Sequence, residues 1–245
     1  MTHLYIIRHG QAISAAQRTV GNTRLSPLGI LQAERLRDRL AATGEIAADV
    51  LIASTLLRAR HTAEIVAPAL GLPIIFDDEI QEWRDPEEAE GQSEQKYGAK
   101  FRELAMDQKP FFQFTPNSES WSQFMLRACT SLNRITQEHD GKTIVLICHG
   151  GIVDASFLFF FGLSTLQFPQ AFFNTRNTSI THWRKTSYVN AFPPAWVLQK
   201  YNDTMHLYDI DTPARIPWDG LRTQPASGSD KPQTPTEVDE STTTV

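Results

Sequence analysis

The chain has 245 residues, 41% of them hydrophobic, and this length fits one α/β domain with a substantial core better than it fits two. Its formal net charge of −5 argues against the basic surface that nucleic-acid-binding domains present. The most apolar run, Phe157–Leu163, is too short to span a bilayer, and no basic N-terminal stretch precedes a long apolar segment. These features predict a cytoplasmic protein that binds neither nucleic acid nor membrane.

The cysteines and most of the histidines lack the spacing of a metal site. Cys129 and Cys148 lie outside any CxxC or Cys/His zinc pattern, and we predict that both are reduced thiols in the core. Five histidines form neither an H-x-H nor an H-E-x-x-H pattern: His3, His61, His139, His182 and His206. The sequence therefore predicts no metal and no other cofactor.

The first part of the chain predicts strands that alternate with helices. Leu4–Ile7 is a short apolar run, rich in β-forming residues, that ends at a polar loop. Ser26 and the proline after it begin an amphipathic helix, which ends at Gly44. Asp49–Ala53 predicts a second strand, and Leu57–Leu70 predicts the next helix.

The middle of the chain departs from this alternation. Ile74–Phe76 predicts a third strand, and the charged, weakly periodic residues after it predict a lid-like insertion at about 79–117. A helix capped by Ser118 or Ser120 then runs to about Glu138.

The last part of the chain returns to strands and helices before its composition changes. Thr143–Cys148 is a strongly β-branched strand, and Gly151–Phe161 is predicted as the helix that follows it. Ser179–Arg184 and Trp196–Lys200 predict two later strands, the second at a sheet edge because two prolines precede it. Residues 213–245 contain almost no large apolar side chains and are predicted to be a disordered tail.

This order of elements predicts an α/β fold. We expect a single three-layer domain over residues 1–212, with a mostly parallel central sheet flanked by helices. Ligands of open parallel sheets bind at the carboxyl ends of the strands. Three predicted strands end at chemically similar segments: Arg8-His9-Gly10, Ser54 shortly before Arg58, and His149-Gly150.

Two arginines and two histidines around one crevice predict a site for an anion. Arg8 and Arg58 carry guanidinium groups, which hold phosphate oxygens through paired, charge-assisted hydrogen bonds. Gly10 and Gly150 follow the two histidines, and a glycine lets backbone N–H groups approach the anion closely. We therefore predict that Arg8, Arg58, His149 and Gly150 bind phosphate.

Several segments, in this order, resemble the histidine phosphatase superfamily, the phosphoglycerate-mutase-like group. They are Leu4–Gly10 ending in R-H-G, Leu25–Gly29 followed by Gln32-Ala33, Ser54 through Arg58 to Ala63, Glu82, Ser118–Ser120 and Val145–Gly150. The resemblance runs from residue 4 to about residue 207, where Asn202–Leu207 is similar to the closing strand of the phosphatase branch. It implies a phosphoglycerate-mutase-like fold.

The resemblance also implies a mechanism without a metal ion. His9 would attack phosphorus and form a phosphohistidine, which water then hydrolyses. Arg8, Arg58 and His149 would neutralise charge on the transferring phosphoryl group. Glu82 would be the general acid that protonates the leaving alkoxide. The implied function is a phosphomonoester hydrolase that acts on a small phosphorylated metabolite.

Some positions depart from the family pattern or leave alternatives. Many members carry a phosphate-binding asparagine six residues after the nucleophile, where this chain has Ala15. Asn22, Thr23 or a backbone group is the candidate replacement, and Gln11, where many members carry glutamate, is a further candidate substrate-binding residue. Other carboxylates crowd the segment of the general acid: Asp85, Glu87, Glu88 and Glu90.

Two other functions remain open. Mutases of this family use the same chemistry, but they carry an E-R-H-Y-G-like segment where this chain has Glu82–Pro86, so hydrolysis is favoured over transfer. A catalytically weak, phosphate-binding regulatory domain also agrees with the pocket residues and with Ala15. Turnover of phosphomonoesters distinguishes an enzyme from such a domain.

Overall fold

The computed structural model describes residues 1–17, 21–84, 98, 100–115, 117–187 and 193–210. In these residues the strands are β1 (Thr2–Arg8), β2 (Val50–Ser54), β3 (Ile74–Asp77), β4 (Thr143–Cys148), β5 (Ile180–Thr186) and β6 (Ala195–Asp203). The helices include α1 (Ile13–Gln17), α2 (Pro27–Thr43), α3 (Leu57–Leu70), α4 (Trp121–Glu138) and α5 (Gly150–Phe161). Short 3₁₀ helices span Asp78–Ile80, Lys109–Phe111 and Met205–Leu207.

The strands form one mixed sheet in the order β3-β2-β4-β1-β5-β6. The first four strands in this order are parallel, as expected for strands joined by helical crossovers. β5 pairs antiparallel with β1, and β6 pairs antiparallel with β5. β6 lies at the sheet edge, where the prolines before it need no strand partner. The predicted α/β fold with a mostly parallel sheet is therefore confirmed.

Helices cover both faces of the sheet, which makes three layers. Side chains alternate along a strand, so β1 sends Ile6 to one face and Ile7 to the other. Ile6 packs in a core with Phe124 of α4 and Val153 of α5. Ile7 packs in a second core with Leu36 of α2, and α3 also contributes to this core. Burial of these apolar side chains on both faces holds the central strands in place.

Side-chain caps set the start of two predicted helices. The Ser26 hydroxyl accepts a hydrogen bond from Gly29 N at 3.1 Å, which begins α2 where it was predicted. Ser120, and not Ser118, caps α4, because its hydroxyl accepts from Gln123 N while the Gln123 side chain accepts from Ser120 N.

Some element boundaries differ from the sequence predictions. The segment Asn202–Leu207 is not one closing strand: β6 ends at Asp203, and a 3₁₀ helix follows, because Asn202 has a left-handed φ of 56° that departs from strand geometry. Helix α1 was not predicted. Helix α5 begins at Gly150, one residue before the predicted start.

The tail predicted at 213–245 lies outside the described residues, and so does part of the lid-like insertion predicted at about 79–117. Both stay predictions. Across the ranges that the structure describes, no helix combines the length and the apolar character needed to cross a membrane. Cys129 and Cys148 are free thiols, and Cys148 is buried in the core.

Candidate active site

The register of the central strands brings the two motif histidines together. Arg8 lies opposite Cys148 in the β1–β4 pair, so His9 and His149 leave the sheet side by side. His9 N donates to Cys148 O at 2.9 Å, and the ring centroids of the histidines are 5.1 Å apart. β2 pairs with β4 on its other side and ends at Ser54. The three strand ends singled out in the sequence thus meet at one edge of the sheet.

The hydrogen bonds of His9 fix its tautomer. Its Nδ1 lies 2.6 Å from Gly10 O, and a carbonyl oxygen only accepts, so Nδ1 carries the proton. Nε2 therefore holds a lone pair, which accepts a hydrogen bond from Arg58 Nε at 3.1 Å. Burial, and then the charges of Arg58 and Arg8, hold the pKa of His9 well below its usual value of 6.5. His9 is thus a neutral imidazole with an unprotonated Nε2 at neutral pH.

His149 is fully buried beside His9. Its Nε2 lies 2.8 Å from Ser54 Oγ, while its Nδ1 has no hydrogen-bond partner in the described part of the chain. Burial lowers the pKa of His149 well below 6.5, and the charge of Arg58 adds to this effect. An anion next to the ring would oppose both causes, so the protonation of His149 is coupled to anion binding.

Helix α3 carries Arg58 to the site and is tied to the loop after β1. Asn22 Oδ1 accepts a hydrogen bond from Leu57 N at 2.8 Å, at the unsatisfied amino end of the helix. Thr62 Oγ1 accepts from Gly10 N at 3.1 Å and donates to Arg58 O at 2.7 Å. These bonds hold the first turn of α3 against the loop that carries the nucleophile candidate.

The Arg8 side chain extends from the end of β1 to the start of α5. Its Nη1 donates to Thr175 O, whereas its buried Nε has no partner among the described residues. A Cβ on Gly150 would lie 3.8 Å from Arg8 Nε, which places the guanidinium beside the amino end of α5. Burial lowers the pKa of Arg8, and the carboxylates of Glu82 and Asp154 oppose this shift. Cationic guanidinium and helix N–H groups thus face the same space.

Close packing explains the glycine motif at the start of α2. A Cβ on Gly10 would lie 2.5 Å from Gly29 O, and a Cβ on Gly29 would lie 2.0 Å from Gln11 O, so neither position has room for a side chain. Gln11 Oε1 accepts from Ser26 Oγ at 2.8 Å, and Gln11 N donates to Gln32 Oε1 at 2.9 Å. The side chain of Gln11, a candidate substrate-binding residue, thus anchors α2 through its amide oxygen.

The loop around Ala15 is built differently from the family pattern. Ala15 is exposed on α1. Thr23 Oγ1 accepts from Ser14 N and donates to Ser14 Oγ, both at 3.0 Å, so the Thr23 hydroxyl stabilises this loop. Asn22 accepts a hydrogen bond from Leu57 N at the start of α3, and Leu57 directly precedes Arg58 in the chain. Of the two candidate replacements, Asn22 is therefore the one that the fold places beside the pocket.

Glu82 meets the amino end of α5. Its Oε2 accepts from Gly151 N and its Oε1 accepts from Trp83 N, both at 3.1 Å. A Cβ on Gly151 would lie 2.2 Å from Glu82 Oε1 and 2.6 Å from Phe124 Cζ, so only glycine lets the carboxylate approach the helix. Glu82 is thus hydrogen-bonded to Gly151, which follows His149 by two residues in the chain. The alternative acids Asp85, Glu87, Glu88 and Glu90 lie outside the described residues.

Glu119, in the segment Ser118–Ser120, has a structural role. Glu119 forms an ion pair with Arg127, with Nη2 2.6 Å from Oε2 and Nε 2.7 Å from Oε1. Glu119 Oε2 also accepts from Arg84 N at 3.0 Å, and Arg127 donates to the carbonyl oxygens of Gln81 and Glu82. This network fixes the backbone on which Glu82 is mounted.

Sequence reasoning missed the contribution of the segment before β5. Asn177 Nδ2 donates to His9 O at 2.8 Å, and Thr178 N donates to Arg8 O at 2.9 Å. Because β5 is antiparallel to β1, its start lies beside the end of β1. The sequence did show Asn177 shortly before a predicted strand. Its position beside His9 could not be inferred, because that depends on the direction of β5 in the sheet. Ser54 was noted only as a strand end, not as the partner of His149.

The sequence predicts no metal ion or other cofactor, and the described residues can be searched for groups of metal-binding side chains. Within the described ranges, no cluster of three or more histidine, cysteine, aspartate or glutamate side chains has the geometry of a metal site. The cations and N–H donors around His9 instead suit a bound anion directly.

Comparisons with known proteins identify the family of the chain. The family model of the histidine phosphatase superfamily (branch 1) matches residues 4–204. An uncharacterized phosphatase, PhoE, of Bacillus subtilis is 26% identical over 156 residues, which are 63% of this chain and 75% of that protein. A metal-independent phosphoserine phosphatase of Arabidopsis thaliana is 21% identical over 224 residues, which are 86% and 85% of the two chains.

A solved structure supports the fold. The Bacillus stearothermophilus protein YhfR superposes with a TM-score of 0.67 at 23% identity and covers 84% of this chain and 100% of its own. At this identity the likeness concerns the phosphoglycerate-mutase-like fold alone. The family model spans most of the chain, including both histidine motifs and the segment with Arg58. The chain therefore belongs to the histidine phosphatase superfamily.

Proposed function

We propose that the chain hydrolyses a small phosphomonoester through a phosphohistidine at His9, without a metal ion. The state of His9 is the observation that carries this proposal. Its Nδ1 proton is held by Gly10 O, and its Nε2 lone pair lies beside the Arg58 guanidinium. A histidine attacks phosphorus only through an unprotonated nitrogen, and the lowered pKa of His9 keeps that nitrogen unprotonated at neutral pH.

In the proposed first step, His9 Nε2 attacks phosphorus in line and the ester P–O bond breaks. Negative charge on the phosphoryl oxygens is neutralised by Arg8, Arg58 and the N–H of Gly150. The same charge favours protonated His149, whose ring then donates a hydrogen bond to a phosphoryl oxygen. Ser54 keeps the His149 ring in place from the side opposite to the anion.

Glu82 transfers protons in both steps of this proposal. It first donates a proton to the leaving alkoxide, and the carboxylate then accepts one from the water that attacks the phosphohistidine. The products are the alcohol and inorganic phosphate, and His9 returns to its neutral state. The N–H groups of Gly151 and Trp83 keep the Glu82 carboxyl at the edge of the pocket during both steps.

Phosphatases and phosphoglycerate-mutase-like proteins are both among the similar proteins. One similar protein is named as a phosphatase and another as a metal-independent phosphoserine phosphatase. The second name supports the proposal of a phosphatase that needs no metal ion and acts on a small phosphorylated metabolite.

The test is hydrolysis of p-nitrophenyl phosphate and of a panel of small phosphomonoesters, measured as released inorganic phosphate. We expect turnover by the native chain in EDTA and loss of turnover in His9→Ala. Labelled phosphate should appear on the native protein as an acid-labile adduct after rapid quenching, but not on His9→Ala. The control is His139→Ala, because His139 ends α4 near the start of β4, at the opposite edge of the sheet from His149.

Four results would contradict this proposal. Full activity in His9→Ala would exclude His9 as the nucleophile. Dependence on a divalent cation would exclude the metal-independent mechanism. Phosphate binding without turnover on the whole panel would favour the regulatory, phosphate-binding domain. Phosphoryl transfer without release of inorganic phosphate would favour a mutase.

A further inference from the structure

Asp154 is a partly buried carboxylate beside the candidate active site, and the proposed mechanism gives it no role. It lies on α5 four residues after Gly150, so the two positions share one face of the helix. That face meets Arg8, because a Cβ on Gly150 would lie 3.8 Å from Arg8 Nε. The carboxylate of Asp154 interacts electrostatically with Arg8, the arginine proposed to hold the phosphoryl group.

Asp154 lies in a wall around Arg8 that also contains Phe173, Thr175 and Tyr201. Phe173 N donates a hydrogen bond to the Asp154 carboxylate. Two residues later, Thr175 O accepts from Arg8 Nη1, and the Thr175 hydroxyl lies 3.3 Å from the hydroxyl of Tyr201 on β6. The buried Oδ1 of Asp154 has no hydrogen-bond partner in the parts of the chain that the structure describes. The wall therefore contains a hydrogen-bond acceptor that no described residue satisfies.

The titratable groups that interact with Asp154 come from three other elements. Arg8 at the end of β1 is cationic, Glu82 after the 3₁₀ helix Asp78–Ile80 carries a carboxyl group, and the Tyr201 phenol lies on β6. Burial, with the nearby Glu82, raises the pKa of Asp154 to about 7. Asp154 is thus neutral below pH 7 and anionic above it. Arg8 is the only cation among these groups. When Arg8 binds a phosphoryl group, the other members of the set that face the substrate are carboxyl groups and a phenol.

We propose that Asp154 determines specificity by accepting a hydrogen bond from a hydroxyl or ammonium group of the leaving group and by disfavouring a carboxylate at the same place. The inference rests on the proposed function. It assigns the substrate to phosphorylated alcohols or amino alcohols rather than to phosphorylated hydroxy acids. The physical reason is that a third carboxyl group, next to Asp154 and Glu82, would add like charge in a partly desolvated site.

A matched pair of substrates tests this inference. Glycerol 3-phosphate and 3-phosphoglycerate differ only in a CH2OH group against a carboxylate. We expect the native chain to favour glycerol 3-phosphate at pH 8 by about tenfold or more in kcat/KM. We expect Asp154→Asn to reduce that ratio by about tenfold, because the amide removes the charge while keeping the shape. The ratio should rise from pH 6 to pH 8 in the native chain and stay constant in Asp154→Asn.

The control is Asp38→Asn, which removes a carboxylate from the exposed surface of α2 and should leave the ratio as it is in the native chain. The inference is overturned if the native chain favours 3-phosphoglycerate, or if Asp154→Asn keeps the native ratio and its pH dependence. These outcomes differ from failure of the proposed function, in which neither ester nor p-nitrophenyl phosphate is hydrolysed. That result would overturn the inference together with the function.

Discussion

Replacement of Gly151 by alanine tests the contact between α5 and the carboxyl group proposed as the general acid. The new Cβ would lie 2.2 Å from Glu82 Oε1 and 2.6 Å from Phe124 Cζ, whereas ordinary contacts begin at 3.4 Å. One or both neighbours must therefore move by roughly 1 Å, which in a packed site costs about 1–3 kcal/mol. For a chain of this size, that cost lowers Tm by about 2–12 °C.

The same displacement should reduce activity. A shift of roughly 1 Å in a proton-transferring group lowers kcat by about 100-fold. The assay combines calorimetric Tm with kcat on p-nitrophenyl phosphate. The matched control is Gly150→Ala, whose Cβ would only touch Arg8 at the ordinary distance of 3.8 Å, and whose stability should change by less than about 0.5 kcal/mol. The higher helix propensity of alanine acts on both variants, so it cancels in the comparison. Equal Tm values for the two variants, with native kcat in Gly151→Ala, would refute the geometry.

Three further predictions concern single groups. Ser54→Ala removes the hydroxyl 2.8 Å from His149 Nε2, so kcat/KM should fall by about 10- to 100-fold and the free energy of urea unfolding by about 1–3 kcal/mol, because a buried ring nitrogen loses its partner; an unchanged kcat/KM would contradict the role of Ser54. Arg39 donates to both carboxylate oxygens of Asp203 at 3.0 and 2.8 Å and holds the pKa of Asp203 below its usual value, so Asp203→Asn should cost about 1–3 kcal/mol in urea unfolding. Because a depressed carboxyl pKa stabilises the fold only above the unfolded pKa of about 3.9, this difference should be full at pH 7 and shrink as pH falls below that value. Because the pKa of His9 is lowered, kcat/KM on p-nitrophenyl phosphate should show no loss as pH falls through 6.5, and an inflection there would show a His9 with an ordinary pKa.

The elements that sequence predicted best depend on local information. Helix α3 has the predicted bounds of Leu57–Leu70, and β4 has the predicted bounds of Thr143–Cys148. In both, residue type and a following glycine or histidine mark the end of the element. Helix α1 was missed because long-range contacts stabilise it, among them the bonds between Ser14 and Thr23 and the isolated bridge from Ala12 to Leu25.

Some features of the candidate site could also be predicted from the sequence, and others depend on tertiary packing. His9 and His149 follow strands, so their position at the sheet edge could be predicted from the order of elements. The bond from Gly151 N to Glu82 could not, because it depends on how Phe124 and the segment after β3 pack against α5. Asp154 gave no indication in the sequence, since its environment forms only when residues 173–175 return to Arg8.

The place of β1 in the sheet has a consequence for synthesis. β1 lies between β4 and β5, so both of its hydrogen-bonded edges wait for residues 143–148 and 180–186 to leave the ribosome. Until then the earliest strand of the sheet is an apolar segment with two open edges, which favours aggregation or chaperone binding. Nascent chains that stop before β4 should therefore be degraded or aggregate. Completion of the sheet, with its contacts between distant residues, should be a slow step of folding.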